Sequence, residues 1–265
     1  MDPAIGPAAV TRRAFLAVGG LCLLSACGAT AAEGKAARPA AVVTPARSAP
    51  PPPPLPSPEP SRLPVQAKPE YAIAPAKAAG QKVLALTIDD GPDPHWTPQV
   101  LEILREHQVT ATFFMIGESA AAHPDVVRAV AAHGHAIASH TWSHGNLPKL
   151  SPAAARTEIE RGLDAVTSAT GGIRPSLFRA PYGNWSPVVF SVCAEFAQRP
   201  IAWDVDPRDW DTPGTARIVS RVLAQTGPRS IILNHDGGGN RAQTVAALRS
   251  YLPELLSGGY HFTSL

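Results

Sequence analysis

Five short stretches carry side chains that can do chemistry, and each follows an apolar run. They are Thr87-Ile88-Asp89-Asp90-Gly91, His140-Thr141-Trp142-Ser143-His144, Arg179-Ala180-Pro181-Tyr182, Asp206-Pro207-Arg208-Asp209-Trp210 and Leu233-Asn234-His235. His140 and His144 are four apart, a spacing that sets two imidazoles on one side of a helical turn. With one carboxylate they form a two-histidine, one-carboxylate metal site; a pair of surface histidines in a chain with 9 is the bland alternative. The adjacent carboxylates Asp89 and Asp90 diverge, so one can bind metal while its neighbour stays free as a base, although Asp-Gly alone would only mark a turn. That division suits hydrolysis in which a metal acidifies water and a nearby group takes its proton. Zinc is favoured for such chemistry, with cobalt or another divalent ion as substitute; the same donors also host non-haem iron, which would imply redox chemistry.

The remaining motifs supply an acid and supports. His235 ends an apolar run and has Asp236 beside it. An amide nitrogen leaves poorly unless protonated, so amide hydrolysis needs a general acid, and histidine suits that role. Arg179 lies in a Pro-containing bend, where it can pair with buried carboxylates and hold them. Trp210 and Leu233 either wall a small apolar pocket or are ordinary core residues.

These residues need a scaffold that brings strand ends together. From Lys82 onward strand and helix signals alternate. Strands are expected at Val83 to Ile88, Thr112 to Ile116, His135 to Ser139, near Leu177-Phe178, at Ile201 to Asp204, Ser230 to Leu233 and near His261-Phe262. Between them helices are expected at Thr97 to His107, from Pro124 to before Gly134, from Pro152 to Gly171, from Pro187, from about Pro213 to Gln225 and from about Gln243 to Leu256. Regular alternation argues for parallel strands with helices outside. The motifs fall at the C-terminal strand ends, the active face of a (β/α) barrel. An open doubly wound sheet would gather only the loops near its switch point, and no Gly-rich phosphate loop opens a helix. The expected fold class is therefore α/β, a distorted barrel of about seven parallel strands with outer helices.

Taken together and in this order, the motifs resemble the polysaccharide deacetylases with a NodB-homology domain, carbohydrate esterase family 4, over Lys82 to Leu265. The resemblance implies a distorted (β/α) barrel and metal-dependent removal of N-acetyl groups from N-acetylglucosamine in a polysaccharide. It implies Asp89 as base, Asp90, His140 and His144 as metal ligands, and Arg179 as the residue orienting the base. The backbone N–H of Tyr182 would help hold the oxyanion, and Asp209 would tune the acid, His235. Trp210 and Leu233 would receive the acetyl methyl, with Pro181 counted among the substrate-binding residues. Ile88 stands where the family usually has Phe, a change expected to affect packing and not chemistry. An O-acetyl esterase, a chitooligosaccharide deacetylase and a wall-glycan-binding protein without turnover are the rival readings.

The rest of the chain reads as address and spacer. Residues 1–27 carry Arg12-Arg13, a short apolar run and Leu24-Ser25-Ala26-Cys27, which resemble a twin-arginine export signal ending in a lipoprotein box with Cys27 acylated. The run is too short to span a bilayer comfortably. Residues 28–80 are rich in Ala and Pro, with five consecutive prolines from Pro50, and are expected to form an extended, unfolded tether before a catalytic domain at 81–265. The expected partners are an acetylated glycan, peptidoglycan or chitin-like, and the membrane through the lipid. Net charge of only +2 with scattered Lys and Arg leaves no footprint for nucleic acid, and a monomer in the cell envelope is expected. Cys193 is the one thiol in the body, so no internal disulfide can staple the fold.

Overall fold

The computed structural model describes residues Arg62–Leu265. The expected export signal, Cys27 and most of the tether lie outside the described residues. The element order is α1 (Pro75–Ala78), β1 (Val83–Asp89), α2 (Thr97–Glu106), β2 (Ala111–Met115), α3 (Gly117–Ala122), α4 (Pro124–Ala132), β3 (Ala136–Ser139), α5 (Pro152–Ala169), β4 (Leu177–Phe178), α6 (Pro187–Glu195), β5 (Arg199–Pro200), α7 (Thr215–Gln225), β6 (Ile231–His235), α8 (Ala242–Ser257) and β7 (His261–Phe262). The strands pair in parallel in the order β5-β4-β3-β2-β1-β6, with β7 also against β1. The sheet curls into a half-barrel with helices around it, as the alternating pattern predicts.

Every residue of β1 is buried, so its two faces must serve different layers. Leu84, Leu86 and Ile88 face the helices with Phe113, Met115 and Ile232, joined by Leu104, Val127 and Leu248. Val83 and Ala85 face the barrel interior with Phe114, Ala138, Ile201 and Ile231. The strand period of two then places Thr87 and Asp89 on that interior side. Ile88 accordingly packs in the sheet–helix layer, away from any site. Within α5, Ile159, Leu163 and Val166 form the buried face, and the Ser151 side chain caps the helix by accepting from Ala154 N–H.

The tether boundary expected at residue 80 moves toward the N-terminus, because residues 62–80 dock on the domain. The seam between β5 and β6 has only isolated pairing, Val205 with Ile232, and this segment fills it. Glu70 pairs with Ile201, Ala72 with Ser230, and Glu70 O accepts from Ala202 N–H at 2.7 Å. Ile73 is 1% exposed in the interior cluster, and Arg199 holds the Glu70 carboxylate with two hydrogen bonds of 3.0 and 2.6 Å. The segment is Ala- and Pro-rich, but the buried Ile73 and Ala78, the Arg199–Glu70 pair and backbone bonds to an unpaired seam hold it on the domain.

Two further differences have local causes. The strand expected at Ile201 to Asp204 lies earlier, at Arg199–Pro200, and of the following residues Ile201 and Val205 pair only through isolated bridges. Helices α1 and α3 are 4 and 6 residues long, too short to leave a helical period in the sequence. No helix among the described residues is long and apolar enough to cross a membrane.

Candidate active site

The C-terminal strand ends surround a cavity of about 320 Å³ whose wall includes Asp89, Asp90, His140, His144, Tyr182, Trp210, Leu233 and His235. Ala180, Trp203 and Asp206 complete the wall. Asp89 is the last residue of β1, and Asp90 follows it in the left-handed region at φ 72, which separates the two carboxylates. Register then sets the opposite side, because β6 pairs His235 with Asp89.

One group of donors faces inward between them. Asp90 Oδ1 lies 3.5 Å from His140 Nε2 and 3.3 Å from His144 Nε2. Their ligand atoms all lie within 4.8 Å of one another. His140 Nδ1 donates to Arg179 O at 2.7 Å, which leaves the Nε2 lone pair turned toward Asp90. Asp90 Oδ1 is buried and has no hydrogen-bond partner, a costly state for a carboxylate oxygen. Burial works to raise the Asp90 carboxyl pKa, but contact with His140 and the charges of His235, His140 and His144 hold it well below the usual carboxylate range. Burial, followed by the neighbouring His140, lowers the pKa of His144 and favours the neutral imidazole a metal needs. An oxygen without a partner beside two imidazole nitrogens is a donor set that would suit a divalent metal.

The two histidines do not share a helical turn. They lie on the loop after β3, where Thr141 and His144 take φ values of 67 and 60. Their spacing works because the chain doubles back within one residue at each of those positions, and His144 N–H donates to Thr141 Oγ1 at 3.0 Å. The rings meet at 5.0 Å between centroids.

Asp89 is held from below. Arg179 is fully buried and its Nη1 donates to Asp89 Oδ1 at 2.7 Å and to Thr87 Oγ1 at 2.8 Å. Its Nη2 donates to Ala202 O at 2.9 Å, and its guanidinium lies 4.0 Å from the Phe114 ring centroid. Burial works to lower the Arg179 pKa, and the Asp89 charge opposes it. Thr87 was readable in principle: it stands two residues before Asp89 in a strand, so both side chains share one face.

On the other side, His235 Nδ1 donates to Asp209 Oδ1 at 2.7 Å. Asp209 Oδ2 accepts from His235 N–H and Thr244 Oγ1, both at 2.8 Å. Burial would lower the His235 pKa, but the Asp209 charge and hydrogen bond overcome it and lift the ring to about 9. Burial would likewise raise Asp209, but His235 and Thr244 bring it below its ordinary value.

Arg179 and Asp209 stand behind the cavity wall and act on residues that line it. Pro181, expected to touch substrate, is buried and absent from the wall, where Ala180 and Tyr182 take its place. Tyr182 has φ 61 and packs edge-on against His144 at 4.6 Å. Trp203, which no motif flagged, packs inside the barrel mouth and under Gly183, where a Cβ would come within 2.9 Å of its ring. Arg241 is 4% exposed and donates to Gly237 O and Trp210 O, tying the loop after β6 to the loop carrying Asp209. Nothing in its sequence context separates it from a surface arginine.

Comparison with known proteins accords with this geometry. The polysaccharide deacetylase family matches residues 76–201. A chitooligosaccharide deacetylase from Bradyrhizobium is 40% identical over 198 residues, 71% of this chain and 90% of that protein. A peptidoglycan-N-acetylglucosamine deacetylase from Bacillus cereus is 40% identical over 188 residues, 70% of this chain and 87% of that protein. Among solved structures, the peptidoglycan deacetylase PdaC from Bacillus subtilis superposes with a TM-score of 0.65 at 34% identity, covering 70% of this chain and 88% of that one. The chain belongs to the polysaccharide deacetylase family, carbohydrate esterases of family 4 with the NodB-homology fold.

Proposed function

We propose that this protein hydrolyses the acetamide of N-acetylglucosamine residues in a polysaccharide, with peptidoglycan as the substrate, releasing acetate and a free amine. The observation that carries the reading is the pairing of two supported proton-transfer groups across one cavity. Asp89 is held by Arg179 on one side and His235 by Asp209 on the other, with Asp90, His140 and His144 between them.

Asp90, His140 and His144 would hold a divalent metal, with zinc favoured by the ligand set. When bound, it would supply a Lewis acid that polarises the acetamide carbonyl and acidifies a water. Asp89, anchored by Arg179, takes the proton from the attacking water as the new C–O bond forms. The N–H of Tyr182, on the cavity wall, donates to the developing oxyanion. His235, kept protonated by Asp209, gives its proton to the departing nitrogen as the C–N bond breaks. Asp209 and Thr244 hold the imidazole with Nε2 free to reach the substrate. Trp210 and Leu233 offer the apolar wall for the acetyl methyl.

The relative named for chitooligosaccharides shares the same acetamide, so the polymer is decided by assay. Acetate release is measured from peptidoglycan and from N-acetylglucosamine oligomers, before and after chelation and return of zinc. Metal-restored release from peptidoglycan supports the proposal; release from the oligomers alone moves the substrate to chitin-like chains. No release from either, with metal bound, sinks it. Anchoring outside the cell through Cys27 belongs to the same proposal and is tested by radiolabelled lipid incorporation in wild type and Cys27→Ser.

A further inference from the structure

The loop bearing His140 and His144 has a conformation that its own residues do not favour. Thr141 is β-branched and sits at φ 67, and His144 sits at φ 60. Such left-handed residues persist only where their surroundings over-determine them. The surroundings here are one face of α5 and the start of α3.

Six contacts bind the loop. Trp142 N–H donates to the Glu158 carbonyl at 2.9 Å, inside α5. Ser143 N–H and Ser143 Oγ both donate to Glu158 Oε2 at 3.0 Å. The Arg161 guanidinium lies 4.1 Å from the Trp142 ring centroid. From α3, Gly117 N–H donates to Thr141 O and Glu118 N–H to Trp142 O, at 2.9 and 3.0 Å.

The close approach depends on a glycine. A Cβ on Gly162 would lie 2.3 Å from Thr141 C and 2.8 Å from Trp142 N. Glycine in a helix interior costs roughly 0.5–1 kcal/mol relative to alanine, so its place in α5 has a packing reason. One turn earlier is Glu158, and the lack of a side chain at Gly162 leaves the Glu158 carbonyl open to Trp142 N–H.

We infer that α5 is the template on which the metal-ligand loop is formed, with Glu158 as a positioning residue that fixes His140 and His144 by gripping Trp142 and Ser143 between them. Glu158 does not face the cavity and is not a ligand. It lowers the conformational cost of presenting two imidazoles at once, so the quantity it controls is metal affinity.

The inference rests on the metal reading of Asp90, His140 and His144, and the test separates the two. The full chain is stripped of metal and titrated with Zn²⁺ and with Co²⁺ by calorimetry, and the Co²⁺-saturated absorption spectrum is recorded. Glu158→Ala removes both bonds to Ser143 and keeps the main-chain bond to Trp142, so affinity is expected to weaken about 10-fold, the low end for loss of a group supporting metal ligands, with an unchanged cobalt spectrum. Glu158→Gln keeps an acceptor oxygen for Ser143 and should bind close to wild type. Gly162→Ala pushes the loop off the helix and should weaken affinity independently, while Ser143→Ala gives a milder loss if the larger changes disturb folding. Wild-type affinity in Glu158→Ala, Gly162→Ala and Ser143→Ala overturns the template. A changed cobalt spectrum in Glu158→Ala would make Glu158 a ligand and overturn its positioning role. Wild-type protein that takes up no metal overturns the metal reading itself.

Discussion

Arg179 and Asp89 form a fully buried ion pair of 2.7 Å, with side-chain exposures of 0% and 4%. The guanidinium also spans Thr87 and the carbonyl of Ala202, so it locks β1 to the chain after β5. A buried pair of this kind is strongly destabilising to break from one side only, because an uncompensated charge remains. Arg179→Met is expected to cost about 3–5 kcal/mol in denaturant unfolding. Arg179→Lys keeps the charge but loses the forked donors, so activity should fall even where the fold survives.

Asp89→Asn removes the carboxylate proposed as the base and leaves Asp90, His140 and His144 unchanged. Turnover should drop by roughly 10²–10⁴-fold, the usual worth of positioned proton transfer, while zinc affinity stays near wild type. A variant that retained turnover would assign the base elsewhere.

The pH profile tests His235 and Asp209. His235 must be protonated to act as an acid, and Asp209 raises its pKa to about 9. A raised pKa keeps the active form present on the acid side and loses it as pH climbs through that value. Activity should therefore decline on the alkaline side, and Asp209→Asn should move that decline to lower pH. An unmoved alkaline limb would remove Asp209 from the tuning of the acid.

Metal removal should lower thermal stability as well as activity, because it leaves Asp90 Oδ1 buried without a partner. At 100 times the dissociation constant a ligand stabilises by about 2.7 kcal/mol, which raises the melting temperature of a domain this size by roughly 5–10 °C. The measurement is a thermal scan with chelator and with returned zinc. Equal melting temperatures would argue against the three-residue site.

Ile73→Ala tests whether residues 62–80 are part of the fold. A buried isoleucine costs about 2–5 kcal/mol when truncated, whereas the same change in a solvated tether stays within about 0.5 kcal/mol. Chemical denaturation of the full chain distinguishes the two.

Most of the framework is legible in the sequence. Buried strands such as Val83–Asp89 and Ile231–His235 are apolar runs bounded by turn residues, and the helix from Pro152 announces itself by a serine cap, an N1 proline and a period of 3.6. Short elements escaped, as did the docking of residues 70–73, because one isoleucine, one ion pair and a few backbone bonds leave no periodic trace.

The sequence by itself determined which residue types meet at the site, and in what chain order, since each ends a strand of the parallel sheet or lies on the chain that follows one. Tertiary structure alone decided how they meet. It drew His140 and His144 together through a left-handed loop in place of a helical turn, placed Pro181 behind the wall, and brought Trp203 and Arg241 to the site. The reason is physical: period and propensity act over neighbouring residues. Loop conformation and side-chain contact depend on partners such as Glu158 and Gly162, fixed only when distant elements pack.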